Sequence, residues 1–199
     1  MRDPIGVNLP DGVPVAYVMR SRGRFDKPTS LLVRGPSLFA RALELSQECD
    51  VAHFLFGTNE STLEALRARI EQLYPGARIA GSYAPGIVSL NEEFFRGVEQ
   101  RIADSGAQLV WVALGTPKQD FVSSELARRL GLCFVGVGAA FDFLAGTVQE
   151  APTVFHGSGF EWVYRLSREP RRLWRRYLFG NIEFVRAVLS VRRRNRKTN

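Results

Sequence analysis

Residues 107–146, AQLVWVALGTPKQDFVSSELARRLGLCFVGVGAAFDFLAG, constrain the fold more than any other part of the chain. Val110, Val112 and Leu114 mark a buried strand, and Gly115-Thr116-Pro117 breaks it. Phe121, Leu126 and Leu130 then recur at roughly helical spacing. A second apolar strand is expected over Leu132–Val137, running into Gly136-Val137-Gly138-Ala139-Ala140-Phe141-Asp142. The result is a β-α-β unit with polar residues at the carboxyl ends of its strands. In open α/β sheets that edge is where ligands bind. Gly115, Gly136 and Gly138 let backbone approach a ligand closely. Lys118 can meet an anion, and Gln119, Asp120 and Asp142 can read hydroxyls or amides. One such loop reads equally well as a tight turn before a solvated helix. Two adjacent loops with polar side chains favour a small-molecule site.

The pattern repeats upstream. A strand over Leu31–Val33 precedes Gly35-Pro36 and a helix from Ser37 with Phe39 and Leu43 on its apolar side. Ala52–Phe56 is a strand closed by Gly57. Ser61 with Glu64 forms a capping box, and Leu63, Leu66, Ile70 and Leu73 follow at helical spacing. Strand, glycine and helix start together suggest a phosphate cradle at Gly57. A short strand over Ala77–Ala80, a second capping box at Ser89 and Glu92, and a helix face of Phe94, Phe95, Val98 and Ile102 complete the series. Strand–helix alternation implies right-handed crossovers and a parallel sheet. His53, inside an apolar strand, reads as a core histidine, and His156 has no partner at metal spacing.

With 199 residues, 45% hydrophobic and 24% charged, the chain suits one globular domain with a real core. It has no apolar run long enough to span a membrane, and MRDPIGVNLPDG lacks a signal-peptide core. Cys49 and Cys133 form no metal pattern and are expected to be buried, reduced thiols in a cytosolic protein. The net charge of +7 is uneven: residues 160–199 hold twelve Lys/Arg against three acids, which leaves the remainder slightly acidic. Such a segment seeks anions: lipid headgroups, diphosphates or nucleic acid. Its Trp and Tyr residues, interleaved with arginine at helical spacing, suit an interfacial helix. They also suit a basic face whose apolar side packs on the globule.

GTPKQD, GVGAAFDFLAG and GFEWVYRLSREPRRLWRRYL, in this order, resemble the WecG/TagA/CpsF glycosyltransferases, and the similarity runs from about Leu9 to about Phe184. The resemblance implies a Rossmann-like α/β core, an open and mostly parallel sheet with helices on both faces. The boundaries expected are residues 1–157 for the core, 158–191 for a basic amphipathic helical appendage and 192–199 for a disordered basic tail. It implies an inverting transfer of a sugar from a UDP-sugar donor to a polyprenyl-diphosphate glycolipid acceptor in cell-surface polysaccharide synthesis. N-acetylmannosamine, its uronic acid and glucose are the sugars used in the family. By motif position, Asp11 of Asp-Gly would be the catalytic base, and Arg165, Arg172 and Arg175 would reach the diphosphate. No Asp-x-Asp motif stands where a donor loop would need a metal, so neither metal nor cofactor is expected. The expected location is cytoplasmic, on the inner face of the plasma membrane through the basic helices. Nucleic acid is the least favoured partner, and oligomeric state stays open, a homo-oligomer included. Family members usually carry a further βαβ segment before the Asp-Gly, so an N-terminal βαβ segment is expected to be missing here. Leu32, Ser37 and Glu150 stand where an arginine, an acid and a basic residue are common. These departures keep open a second reading, a truncated, catalytically impaired nucleotide-sugar-binding protein.

Overall fold

A computed structural model describes residues 6–7, 9–13, 15–16, 32–155, 161–168, 170–171, 174, 180 and 186; for Thr153, Glu161 and Arg165 it describes the backbone alone. The chain divides into two compact units, Met1–Asn8 with Val33–Gln149, and Leu9–Leu32 with Glu150–Asn199.

The first unit alternates helix and strand: α1 (Gly35–Ser46), β1 (Ala52–Gly57), α2 (Glu60–Leu73), β2 (Arg78–Tyr83), α3 (Glu92–Ser105), β3 (Leu109–Ala113), α4 (Lys118–Leu130), β4 (Cys133–Gly136) and α5 (Ala140–Ala145). The strands form one parallel sheet in the order β2-β1-β3-β4. This is the expected α/β architecture, and it follows from side-chain alternation. On β1, Leu55 faces one way and Phe54 and Phe56 the other; on β3, Trp111 opposes Val110 and Val112. One face is closed by Phe39 and Leu43 of α1, Leu63, Leu66 and Ile70 of α2, and Phe141 of α5. The other is closed by Phe95, Val98 and Ile102 of α3 and by Val122 and Leu126 of α4. Both faces of β1 are buried throughout, which is why its sequence reads as a continuous apolar run.

Several local expectations are corrected. Helix α2 is capped by Asn59, whose Oδ1 accepts from Thr62 N at 2.9 Å, and α3 by Asn91, whose Oδ1 accepts from Phe94 N at 2.9 Å. In each case an asparagine in extended conformation already supplies the oxygen that a Ser–Glu box would offer. Ser61 instead donates to the Asn59 side chain at 2.7 Å. Leu32–Arg34 is not a strand and leads directly into α1. Cys49 and Cys133 are both exposed: one lies in the turn after α1, and the other opens the sheet-edge strand β4.

His53 is buried as expected but only half satisfied. Trp111 Nε1–H donates to its Nδ1 at 3.0 Å, while Nε2 has no hydrogen-bond partner. Between α3 and α4, Arg129 donates to both oxygens of Glu92 at 2.8 and 2.9 Å and to Glu125 at 2.9 Å, with its guanidinium over the Phe95 ring. This pairing fixes α3 against α4, the helix that carries Lys118 and Gln119.

In the second unit, Asp11 is exposed in the segment before a helical turn closed by Ala16 N donating to Gly12 O at 2.9 Å. A 3-10 turn (Thr153–Phe155) precedes α6 (Glu161–Arg168), and the Phe155 and Tyr164 rings meet at 5.7 Å. Trp162 and Val163 of α6 are exposed, as is Trp174. No described helix is long and apolar enough to cross a membrane.

Candidate functional site

The strand order fixes where a site can form. From β1 the chain crosses to β2 on one side, then returns to β3 and β4 on the other. The connections leaving β1 and β3 therefore diverge at their carboxyl ends, the position where open α/β sheets bind their ligands. Gly57 ends β1 with φ 119°, and a Cβ there would lie 2.7 Å from Ala113 O. Only glycine fits this crossing of two backbones. The next residue, Thr58, donates its N–H to Ala113 O at 3.1 Å and holds φ 49°. Among the described residues it is the one non-glycine residue with positive φ, and sequence patterning gave no sign of it.

From β3 the chain passes Gly115 (φ 75°) into α4, whose first turn closes with Gln119 N donating to Gly115 O at 2.9 Å. Lys118 is half-buried. Gln119 is only 7% exposed, unusual for a helix-start amide. Its side chain lies along the end of β4: a Cβ on Gly136 would sit 3.0 Å from Gln119 Nε2, and one on Gly138 3.9 Å from Oε1. The absent side chains of Gly136 and Gly138 thus make room for the Gln119 amide. Val137 N donates to Val112 O at 2.9 Å and ties this loop to β3. Gly35, at the start of α1, reaches the same loop, since a Cβ on it would lie 3.0 Å from Val137 O.

Gln119 Oε1 has no hydrogen-bond partner. A buried acceptor left unpaired costs about 1–3 kcal/mol, so such a group calls for a reason. A hydroxyl or an N–H is the chemistry that would satisfy it.

The structure thus gathers Gly57, Gly115, Lys118, Gln119, Gly136 and Gly138 at one sheet edge. Asp120 is exposed, turned about 100° around α4 from Gln119. Asp142 is half-buried in α5, and its backbone carbonyl accepts from Thr147 N at 3.0 Å and Val148 N at 3.2 Å. Asp11 and Arg165 belong to the second unit, with Arg165 on α6. Arg172 and Arg175 lie outside the described residues. Among the described residues, no cluster of three His, Cys, Asp or Glu is placed to hold a metal ion. An open groove of about 570 Å³ runs elsewhere, lined by residues such as Arg41, Glu44 and Tyr74. It contains none of the buried, unpartnered polar atoms, so the chemistry points to the sheet edge instead.

Residues 5–198 match the model of the glycosyl transferase WecG/TagA/CpsF family. The chain is 34% identical over 190 residues to the N-acetylglucosaminyldiphosphoundecaprenol N-acetyl-beta-D-mannosaminyltransferase of Bacillus spizizenii, covering 95% of this chain and 70% of that protein. It is 30% identical over 191 residues to the Bacillus subtilis protein of the same name, covering 96% and 70%. A family match across nearly the whole chain, joined to a parallel α/β core with a polar carboxyl edge, places this protein in the WecG/TagA/CpsF family of glycosyltransferases.

Proposed function

We propose that the protein transfers an N-acetylmannosamine-type sugar, with inversion, from a UDP-linked donor to an N-acetylglucosamine carried on a polyprenyl diphosphate. The two Bacillus relatives are named for that sugar and that acceptor, which supports the reading. The observation that carries the binding side is the Gln119 amide packed over Gly136 and Gly138 at the sheet edge, with its Oε1 buried and unpartnered.

In the proposed reaction an acceptor hydroxyl attacks the anomeric carbon of the donor sugar. The bond from that carbon to the β-phosphate oxygen breaks, UDP departs with the electron pair, and the hydroxyl proton goes to Asp11. Gln119 accepts from a sugar hydroxyl or acetamido N–H, with Asp142 as a further polar contact. Lys118, with the backbone around Gly57 and Gly115, meets the diphosphate. Arg165, Arg172 and Arg175 stabilise charge developing on the leaving group; paired guanidinium hydrogen bonds suit that task. No metal takes part in this scheme. The exposed Trp162 and Trp174, with Arg168 and Arg171 beside them in helical conformation, support a peripheral membrane location for the basic segment.

The test is UDP release screened over UDP-sugars with a lipid-diphosphate N-acetylglucosamine acceptor, in wild type and Asp11→Asn. Expected is turnover with UDP-N-acetylmannosamine, a fall of at least about a hundredfold in Asp11→Asn, and no effect of EDTA. Undiminished turnover in the variant refutes the role of Asp11. UDP-sugar binding without turnover in wild type leaves the protein a binding protein.

A further inference from the structure

We propose that Ile87, Val88 and Phe121, exposed on the α3/α4 side of the carboxyl edge, receive the first isoprene units of the acceptor's polyprenyl chain. The inference rests on the acceptor class proposed above. Ile87 is fully exposed, Val88 is 39% exposed and Phe121 56%. Ile87 and Val88 lie in the connection from the carboxyl end of β2 to α3, and Phe121 in the first turn of α4 after the carboxyl end of β3. The Phe121 ring meets Phe95, in the first turn of α3, at 6.2 Å, so Phe121 lies against the start of the helix into which Ile87 and Val88 lead. Phe121 lies three residues from Lys118 and so neighbours it on the helix surface. A cation beside an aromatic matches a ligand whose diphosphate passes directly into hydrocarbon.

The surrounding charge selects the occupant. Glu92 is paired with Arg129, whereas Glu93 and Asp120 are exposed around the strip. Their charge opposes an anionic bilayer surface laid flat on it. In a two-fold pairing of identical patches the same acids would meet their own copies. A single uncharged hydrocarbon chain meets neither obstacle and covers apolar surface that is otherwise left in water.

Two measurements on the full-length protein test this. The first is kcat/KM for N-acetylglucosaminyl diphosphate linked to an undecaprenyl chain and to a short water-soluble alkyl chain. Wild type should favour the long chain by roughly tenfold, the return expected from covering about two methylene groups. Ile87→Ser/Phe121→Ser should reduce that preference to about twofold or less and leave the short-chain value within about twofold. An unchanged preference overturns the inference, as does a variant that instead dissociates a wild-type dimer in light scattering. The second measurement does not depend on turnover. A farnesyl diphosphate bearing a diazirine on its terminal isoprene is photolysed with wild type and the adducts are mapped. Adducts within residues 85–90 and 118–125 support the strip even if no sugar is transferred, a result that would count only against the proposed reaction. Adducts confined to residues 160–199, or none, overturn it.

Discussion

Gly57→Ala tests the backbone crossing on which the crevice depends. Two costs add at this position. The φ of 119° is one that L residues rarely adopt, worth about 1–3 kcal/mol. The new Cβ would also sit 2.7 Å from Ala113 O and 2.8 Å from Ala113 C. Those are backbone atoms in register with Gly57, and Ala113 O accepts a hydrogen bond from Thr58 N, so they cannot swing aside as a side-chain tip would. Relieving the contact costs about 1–3 kcal/mol more, for a total of about 4 kcal/mol. That is a large share of the about 5–15 kcal/mol that holds a typical protein folded. Gly106→Ala is the control. Gly106 has φ 67° at the end of α3 with open space around its Cβ position, so it should lose only the conformational cost of about 1–2 kcal/mol. Urea unfolding followed by far-UV circular dichroism gives both values. Equal losses in the two variants would show that β1 and β3 do not approach this closely, and the crevice geometry would fall with them.

Two further predictions concern buried polar groups. Gln119→Leu removes the unpaired acceptor while keeping the volume, so stability should hold or rise, whereas KM for the sugar donor should rise about tenfold or more; unchanged kinetics would remove Gln119 from the site. Burial holds the pKa of His53 below its usual 6.5. The unfolded chain therefore binds the proton more readily, and the stability gained from neutral His53 is complete above about pH 6.5 and lost as pH falls through the depressed folded value. Protonation at Nδ1 would also take away the acceptor of the Trp111 N–H. The urea midpoint should thus fall between about pH 7 and about pH 5 in wild type and stay flat in His53→Phe; parallel profiles would refute the assignment.

The sheet was legible in the sequence because its information is local and periodic. The unbroken apolar run 52–56 and the alternation around Trp111 leave few alternatives to buried parallel strands. The glycines at 57, 115, 136 and 138 and the polar residues of Gly-Thr-Pro-Lys-Gln likewise pointed to one edge. Pattern could not supply relations between segments distant in sequence. That Gly136 is small because Gln119 fills its side-chain space is a fact about two segments, and so is the contact of Gly35 with Val137 O. Gln119 was recognisable as polar, but not as buried or as lacking a partner. The caps failed for a simpler reason. Ser61 and Ser89 fit the box pattern, and the stronger asparagine caps at Asn59 and Asn91 lie two residues away. Cys133 reads as core because β4 is apolar in sequence, although β4 lies at the edge of the described sheet.

The way charge is distributed at the carboxyl edge bears on how one crevice would handle a neutral sugar and an anionic diphosphate in the proposed reaction. The deepest polar group there, Gln119, is uncharged, while Lys118 is half-buried and Asp120 is exposed. Burying a diphosphate would require removing several negative charges from water, a cost that a single amide cannot offset. Burying a sugar hydroxyl or acetamido group costs little once it meets an acceptor such as Gln119 Oε1. Under the proposed reaction the sugar therefore belongs at the amide, against Gly136 and Gly138, and the diphosphate belongs outward, where Lys118 and solvent share its charge. Discrimination between sugars then falls to a neutral hydrogen bond, and a site of that kind rejects analogues that lack the matching donor. Donor choice should accordingly respond to Gln119 substitutions far more strongly than to ionic strength, whereas contacts at Lys118 should weaken as salt rises.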